Sequence, residues 1–270
     1  MKSVLLGKYK LHDAQAEISG GFVVREGEKY YRIAHYHRMP PFLVSIVSDA
    51  DHWMFISSNG SLAAGRKDRD NALFPYYTDD KIHDYEGKTG SRTYFLVTRD
   101  EKTWLWEPFT DDSLRFYKVS RNIYKNFYGN RILFEEINES LGLSFSYDWS
   151  PSDRFGFVKR SSLSNISGQK VSVDLLDGLL NIVPHGVGYA SQNEYSNLAD
   201  AYKKSELLEG TTLALFMLSA IPIDRAEPSE ALYATTVWSA GLGEGVKVLI
   251  SEGQVGRFRK GEPLEPESDV

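Results

Sequence analysis

The chain contains no cysteine. That excludes a disulfide framework, thiol chemistry and any cysteine-bearing metal knuckle. It also lacks a block of Lys and Arg, and its formal net charge is −6. Nucleic-acid surfaces cluster basic side chains, so a nucleic-acid partner is not expected. No apolar run approaches the ~20 residues of a membrane-crossing helix, so no membrane partner is expected. The N-terminal patch Val4-Leu5-Leu6, broken by Gly7 and Lys8, is too short for the apolar region of a secretory signal. A cytoplasmic location is therefore expected, although a leader removed by processing would leave the same text. No internal repeat of fixed period is seen.

What is present is apolar and aromatic. The chain has 270 residues, 41% hydrophobic and 25% charged, enough to bury a core. Aromatics reach 13%, with 16 Tyr and 14 Phe, and flat rings favour a pleated surface. Apolar segments recur between turn signals. Gly21–Arg25 and Lys29–His37 form a predicted pair, followed by Phe42–Val47, a continuous apolar run expected to be buried on both faces. Tyr94–Thr98 and Thr103–Glu107 read as a hairpin. Then come Leu114–Ser120, Ile123–Phe127, Arg131–Ile137, Leu143–Trp149, Phe157–Ser164 and Val171–Leu176. Even spacing with Gly and Asn turns marks an all-β antiparallel sandwich. Asn197–Leu208 has helix-forming residue types, but Glu209-Gly210 and the apolar run Leu213–Ile223 favour a strand pair. Ala231–Ser239 is another strand candidate. Ser251-Glu252-Gly253-Gln254 has capping-box spacing, which predicts a short helix to Lys260 with a stop at Gly261. The division expected is a β domain over residues 1–245 and a short helix with an acidic linker tail over 246–270.

The stretch Trp53–Asp84 opens as a strand and then loses periodicity. It carries Asn59-Gly60, Arg66-Lys67-Asp68-Arg69, Phe74-Pro75-Tyr76-Tyr77 and the acids Asp79, Asp80 and Asp84. Guanidinium donors, carboxylate acceptors and flat rings together line sugar-binding surfaces. The competing reading is an ordered crossing loop that seals a sheet edge. Several other residues carry two readings. His35 and His37, two apart on a predicted strand, share a face and form either a structural pair or two metal ligands. Trp104 and Trp106 are either core or a stacking platform. Asp111-Asp112 reads as a turn. Glu135 and Glu136 are neighbours on a strand, so they face opposite ways and cannot serve one substrate as acid and base. Asp80, His83 and Asp84 are either metal donors or solvated turn residues. No cofactor is expected.

Three places carry a family resemblance. Gly65, Asn71, Phe74-Pro75 and Thr78-Asp79-Asp80 form one, Trp106-Glu107-Pro108 at the end of a hairpin the second, and the turn Asn165-Ile166-Ser167 the third. With the strand pattern, these resemble the N-terminal domain of the glycoside phosphorylases typified by cellobiose phosphorylase, glycoside hydrolase family 94, over about residues 20–240. The resemblance implies an antiparallel β-supersandwich of galactose-mutarotase type. It also implies a helical catalytic barrel on further polypeptide, which carries the catalytic acid and the phosphate site. On that basis the chain is a non-catalytic carbohydrate-associated domain whose partners are an oligosaccharide or a C-terminal catalytic domain, and a second copy in a homodimer. By the same analogy Arg66, Arg69, Asn71, Tyr76, Tyr77 and Asp80, with Trp53 at the head of the stretch, are the candidate sugar-binding residues. The rival expectations are a structural or dimerising module without sugar affinity and a stand-alone mutarotase-like enzyme.

Overall fold

The computed structural model describes residues 17–194, 196–220, 233–243 and 245–270, with the strands Leu5–Leu6 and Tyr9–Lys10. It is 45% strand and 14% helix, with antiparallel sheets, so the all-β sandwich class expected from the strand spacing is the one formed. The strands in chain order are β1 (Leu5–Leu6), β2 (Tyr9–Lys10), β3 (Ser19–Arg25), β4 (Glu28–Ala34), β5 (Leu43–Ile46), β6 (His52–Ser57), β7 (Leu62–Arg66), β8 (Ala72–Phe74), β9 (Gly90–Arg99), β10 (Lys102–Trp106), β11 (Val119–Asn126), β12 (Ile132–Asn138), β13 (Leu143–Ser152), β14 (Gly156–Asn165), β15 (Ser172–Leu180), β16 (Lys203–Leu207), β17 (Leu213–Leu218) and β18 (Thr235–Trp238). The helices are α1 (Asp79–Ile82), α2 (Asp111–Phe116), α3 (Tyr189–Asn193), α4 (Ser196–Tyr202) and α5 (Val255–Arg259). The chain divides into two compact units, residues 1–62 with 78–178 and residues 63–77 with 179–270.

The first unit is built on a six-stranded sheet in the order β14-β13-β12-β11-β4-β3. Its sequence alternation sets which side is buried, because successive side chains on a strand point to opposite faces. On β13, Leu143, Phe145, Tyr147 and Trp149 are buried, while Ser144 and Ser146 between them are half-exposed. Glu136 and Phe134 of β12 lie opposite Phe145 and Tyr147, so they share this inner face. The hairpin of β9 and β10 covers it. The Phe95 ring stands 5.0 Å from Trp106 and 5.1 Å from Phe145. The turn before β13 needs glycine twice over. Gly142 has φ +61, and a Cβ there would lie 2.5 Å from the Cβ of Ser167. In the second unit β16-β17-β18 form a three-stranded antiparallel sheet. Val183, Val187, Ala199 and Leu218 make a small core beside it.

Several elements differ from expectation, each for a local reason. Leu114–Ser120 is not a strand; α2 occupies 111–116 and β11 begins at Val119. The Thr110 hydroxyl accepts from Ser113 N, and Asp111 and Asp112 sit in the first turn. The Asp pair is thus a helix start, favoured by the helix dipole, rather than a bare turn. The strand ends at Ala34, before the two histidines. His35 takes a left-handed φ of 56 and donates its N–H to Arg121 O, and Tyr36–Arg38 is a 3-10 turn. His35 and His37 therefore do not share a strand face. Phe42–Val47 is not buried on both faces: β5 is a terminal strand, with Ser45 exposed and Val47 53% exposed. Asn197–Leu208 is half helix, α4, and half strand, β16. Leu213–Ile223 gives β17 through Leu218, and residues 221–232 lie outside the described set. The C-terminal helix forms as α5 without the capping box: Ser251 Oγ accepts from Gly253 N and binds Glu267 instead.

Candidate functional site

The aperiodic stretch 53–84 is built from elements after all: β6, β7, a 3-10 turn at Arg69–Asn71, β8, α1 and a second 3-10 turn at His83–Tyr85. The hairpin tip between β6 and β7 is laced to the last of these. Ser57 Oγ lies 2.8 Å from His83 Nδ1, Asn59 Nδ2 donates to His83 O at 2.9 Å, and Ser61 Oγ donates to Ile82 O. His83 is thereby a structural tie.

The seven residues singled out in this stretch fall in different units. Trp53 lies on β6 in the first, half-buried, its ring 6.4 Å from Phe55. Asp80 also belongs to the first, and its side chain lies outside the described set. Arg66, Arg69, Asn71, Tyr76 and Tyr77 belong to the second. There the Arg69 guanidinium stands 4.3 Å over the Tyr189 ring, and Tyr76 meets the same ring edge-on at 5.5 Å. Tyr76 N donates to Gln192 Oε1 at 3.0 Å, and Asn71 Nδ2 to Asp68 Oδ1 at 2.7 Å. Arg66 is exposed and Tyr77 half-buried. Of the ring-and-arginine set, Arg69 and Tyr76 gather on Tyr189 in the second unit, and Trp53 lies beside Phe55 in the first.

The described histidines belong to different elements and turns. The His35 and His37 rings are 6.0 Å apart, and the Nδ1 atoms of both are buried without a hydrogen-bond partner among the described residues. Burial lowers the His37 pKa to about 4, helped by Arg121, His35 and Arg38. Cations on that side of the ring oppose a bound metal dication. His52 packs on Phe157 and His185 on Tyr233. Among the described residues no group of three or more His, Asp or Glu could hold a metal.

Two concavities stand out among the described residues of the first unit. The smaller, about 30 Å³, lies among Asn59, Glu86, Arg92, Thr93, Phe109 and Tyr147. It has space for a water or two and no more. Its polar groups are tied together. Arg92 Nη2 pairs with Glu107 at 3.0 Å, and Thr93 Oγ1 donates to Asp177 Oδ1 at 2.6 Å. Asp177 also receives Lys159 Nζ at 2.6 Å and Ser161 Oγ at 2.7 Å, which joins β9, β14 and β15 at one carboxylate. Burial lowers the Lys159 pKa, and Asp177 opposes the shift. The Glu86 carboxyl is pushed up by desolvation and by Asp111, against Arg121, Arg92 and a hydrogen bond with Asn59.

The larger concavity is an open cleft of about 460 Å³ on the inner face of the six-stranded sheet, at its β3 end. Phe22, Tyr31, Phe42, Lys125, Asn126 and Phe127 are among its lining residues. Register places Phe22 opposite Tyr31, and Tyr31 opposite Lys125, so these three share one face. Phe22 is 60% exposed and Phe127 67%. Lys29 Nζ lies 4.3 Å over the Phe22 ring and 5.6 Å from the Phe127 centroid, bridging them. Two of the polar side chains are engaged: Lys125 Nζ donates to Ser45 O, and Asn126 Nδ2 donates to Asn130 Oδ1 at 2.7 Å. Burial also lowers the Lys125 pKa. What the cleft offers a ligand is therefore ring surface, in the size range of small-molecule sites. The signal missed in the sequence is Phe22 and Val24 alternating along a strand that opens on Gly20-Gly21. Apolar residues facing water on such a strand make an exposed apolar patch.

The conspicuous Glu pair divides between the two faces of the sheet. Glu136 is fully buried on the inner face. It accepts from Trp106 Nε1 at 2.8 Å, Phe109 N at 2.7 Å, Ser113 Oγ and Arg121 Nε at 2.7 Å. Glu135 on the outer face accepts from Arg25 Nη1 at 2.9 Å, Asn122 Nδ2 at 2.8 Å and the Tyr124 hydroxyl at 2.6 Å. Trp106 and Trp149 are core, at 0% and 1% exposure. No family model matches the chain, and no curated protein is significantly similar to it.

Proposed function

We propose that this chain is a carbohydrate-associated β-sandwich module that binds a saccharide by ring stacking and performs no chemistry of its own. The observation that carries this reading is the open cleft whose rim presents Phe22, Tyr31 and Phe127. Aromatic faces take the apolar C–H faces of pyranose rings, and Lys29 and the Tyr31 hydroxyl stand at the rim to take hydroxyls. The two adjacent carboxylates, Glu135 and Glu136, support the non-catalytic part. Each is fully occupied by structural donors, and they sit on opposite faces. By the family resemblance, the module braces a catalytic barrel on further polypeptide and adds to the rim of its sugar site. The Arg69–Tyr189–Tyr76 cluster of the second unit, with Arg69 exposed and both rings half-buried, is the alternative binding surface.

Calorimetric titration of gluco-, xylo- and manno-oligosaccharides tests this. Binding that disappears in Tyr31→Ala and Phe127→Ala and persists in Tyr76→Ala is the expected result. Loss in Tyr76→Ala alone would move the site to the second unit. Absence of heat with all three sugar series would overturn saccharide binding.

A further inference from the structure

The strand β3 ends the six-stranded sheet, and among the described residues nothing pairs with its outer side. Edge strands expose unpaired N–H and C=O groups, and proteins guard them with Lys, Pro, bulges or a covering element. Between Ser19 and Arg25 there is neither Lys nor Pro. Instead Ile18, Phe22 and Val24, all on the inner face, are 48%, 60% and 73% exposed.

The residues of this edge match themselves. When two identical edges pair antiparallel, the groups that point outward have the same parity on both, so paired positions must sum to an even number. Centring the two-fold axis on Gly21 satisfies this. Glu17 then stands opposite Arg25, Ile18 opposite Val24, Ser19 opposite Val23 and Gly20 opposite Phe22. Opposite charges meet at both ends, and the apolar Ile18 and Val24 meet on the inner face. Shifting the axis to Phe22 sets Ile18 against Glu26 and loses every one of these matches. Glu17 is exposed, and Arg25, which holds Glu135 through Nη1 and lies 4.6 Å over the Tyr124 ring, keeps 34% of its side chain exposed toward it.

We propose that a second copy of this chain pairs with β3 antiparallel about a two-fold axis at Gly21, joining two six-stranded sheets into one continuous sheet. The ring-lined clefts of the two copies then lie side by side on the same face. This inference stands on the strand edge and does not require that the cleft bind sugar.

The absence of native cysteine provides a clean test. A Cβ added at Gly21 meets nothing within 4 Å, so Gly21→Cys is accommodated. Across the axis its two copies stand at cross-strand distance, about 4.5–5.5 Å between Cα atoms, within disulfide reach. Ser19→Cys, on the same strand and face, would place its two copies about 13 Å apart. Mild oxidation should link Gly21→Cys into a dimer on non-reducing gels and leave Ser19→Cys unlinked. Sedimentation of the unmodified chain should show a concentration-dependent dimer. Ile18→Lys with Val24→Lys should abolish it, and Glu17→Arg should weaken it severalfold. Linkage no faster at residue 21 than at 19, or a chain monomeric at all concentrations, would overturn the proposal.

Discussion

The two faces of the six-stranded sheet carry neighbouring glutamates in different regimes. On the inner face Glu136 and Arg121 are at 0% and 7% side-chain exposure; Trp106, Ser113 and Phe109 also donate to Glu136, and Thr110 O accepts from Arg121. On the outer face Glu135 meets an Arg25 that is 34% exposed, over a small cluster of Tyr30, Tyr124 and Leu133. The residue types match; the surroundings differ. A buried charge left alone cannot recover its hydration, whereas a partly solvated one can. Adjacent positions on one strand should therefore respond very differently to the same substitution.

The largest effect is expected from Glu136→Leu. It strands the Arg121 guanidinium in the core and should cost about 3–5 kcal/mol in urea unfolding. A loss no greater than that of the outer-face substitution would break the comparison. Pairing it with Arg121→Met should restore most of the stability, because an apolar pair of similar volume replaces the ions. A double variant as unstable as the single one would show that the remaining donors, not the stranded charge, set the cost. On the outer face Glu135→Gln should cost about 1–2 kcal/mol. Burial alone would raise the Glu135 pKa, but hydrogen bonds from Tyr124, Arg25 and Asn122 bring it below the ordinary carboxylate value. Its contribution is therefore present above the unfolded carboxylate pKa and lost as pH falls through the folded one. The stability gap between the unmodified chain and Glu135→Gln should close on acidification. The smallest effect concerns His37, whose pKa falls from 6.5 to about 4 in the fold. The unfolded chain binds the extra proton in that window, so stability should fall as pH drops from about 6.5 toward 4. Melting temperatures of His37→Gln should be flatter over that range than those of the unmodified chain.

The sandwich was legible because alternation and turns agree along β11–β14. Leu143, Phe145, Tyr147 and Trp149 announce an inward face by their spacing alone. The opposed directions of Glu135 and Glu136 followed from the same period. What failed was local. Thr110-Asp111-Asp112 has the chemistry of a helix cap, but Leu114 and Phe116 behind it sit at strand spacing and mask it. His35 lies where an apolar strand continues on paper, and only its bond to Arg121 O, a partner far along the chain, turns the backbone. The stretch 53–84 looked aperiodic because its short strands are held by side chains at long range, such as Ser57 with His83. The ring-lined cleft was illegible for another reason: Phe22, Tyr31 and Phe127 are ordinary strand residues until pairing brings β3 beside β4 and β11.

The acidic tail, expected as a linker, lies along β16. Ser205 N donates to Val270 O, Val270 N returns the bond to Ser205 O, and Leu207 N donates to Ser268 O. Glu267 gathers Ile250 N, Ser251 N and Gln254 Nε2. Replacing residues 268–270 with a Gly-Pro-Gly stretch would strip one margin of that strand bare, and any polypeptide that continues past Val270 leaves the molecule along the same margin.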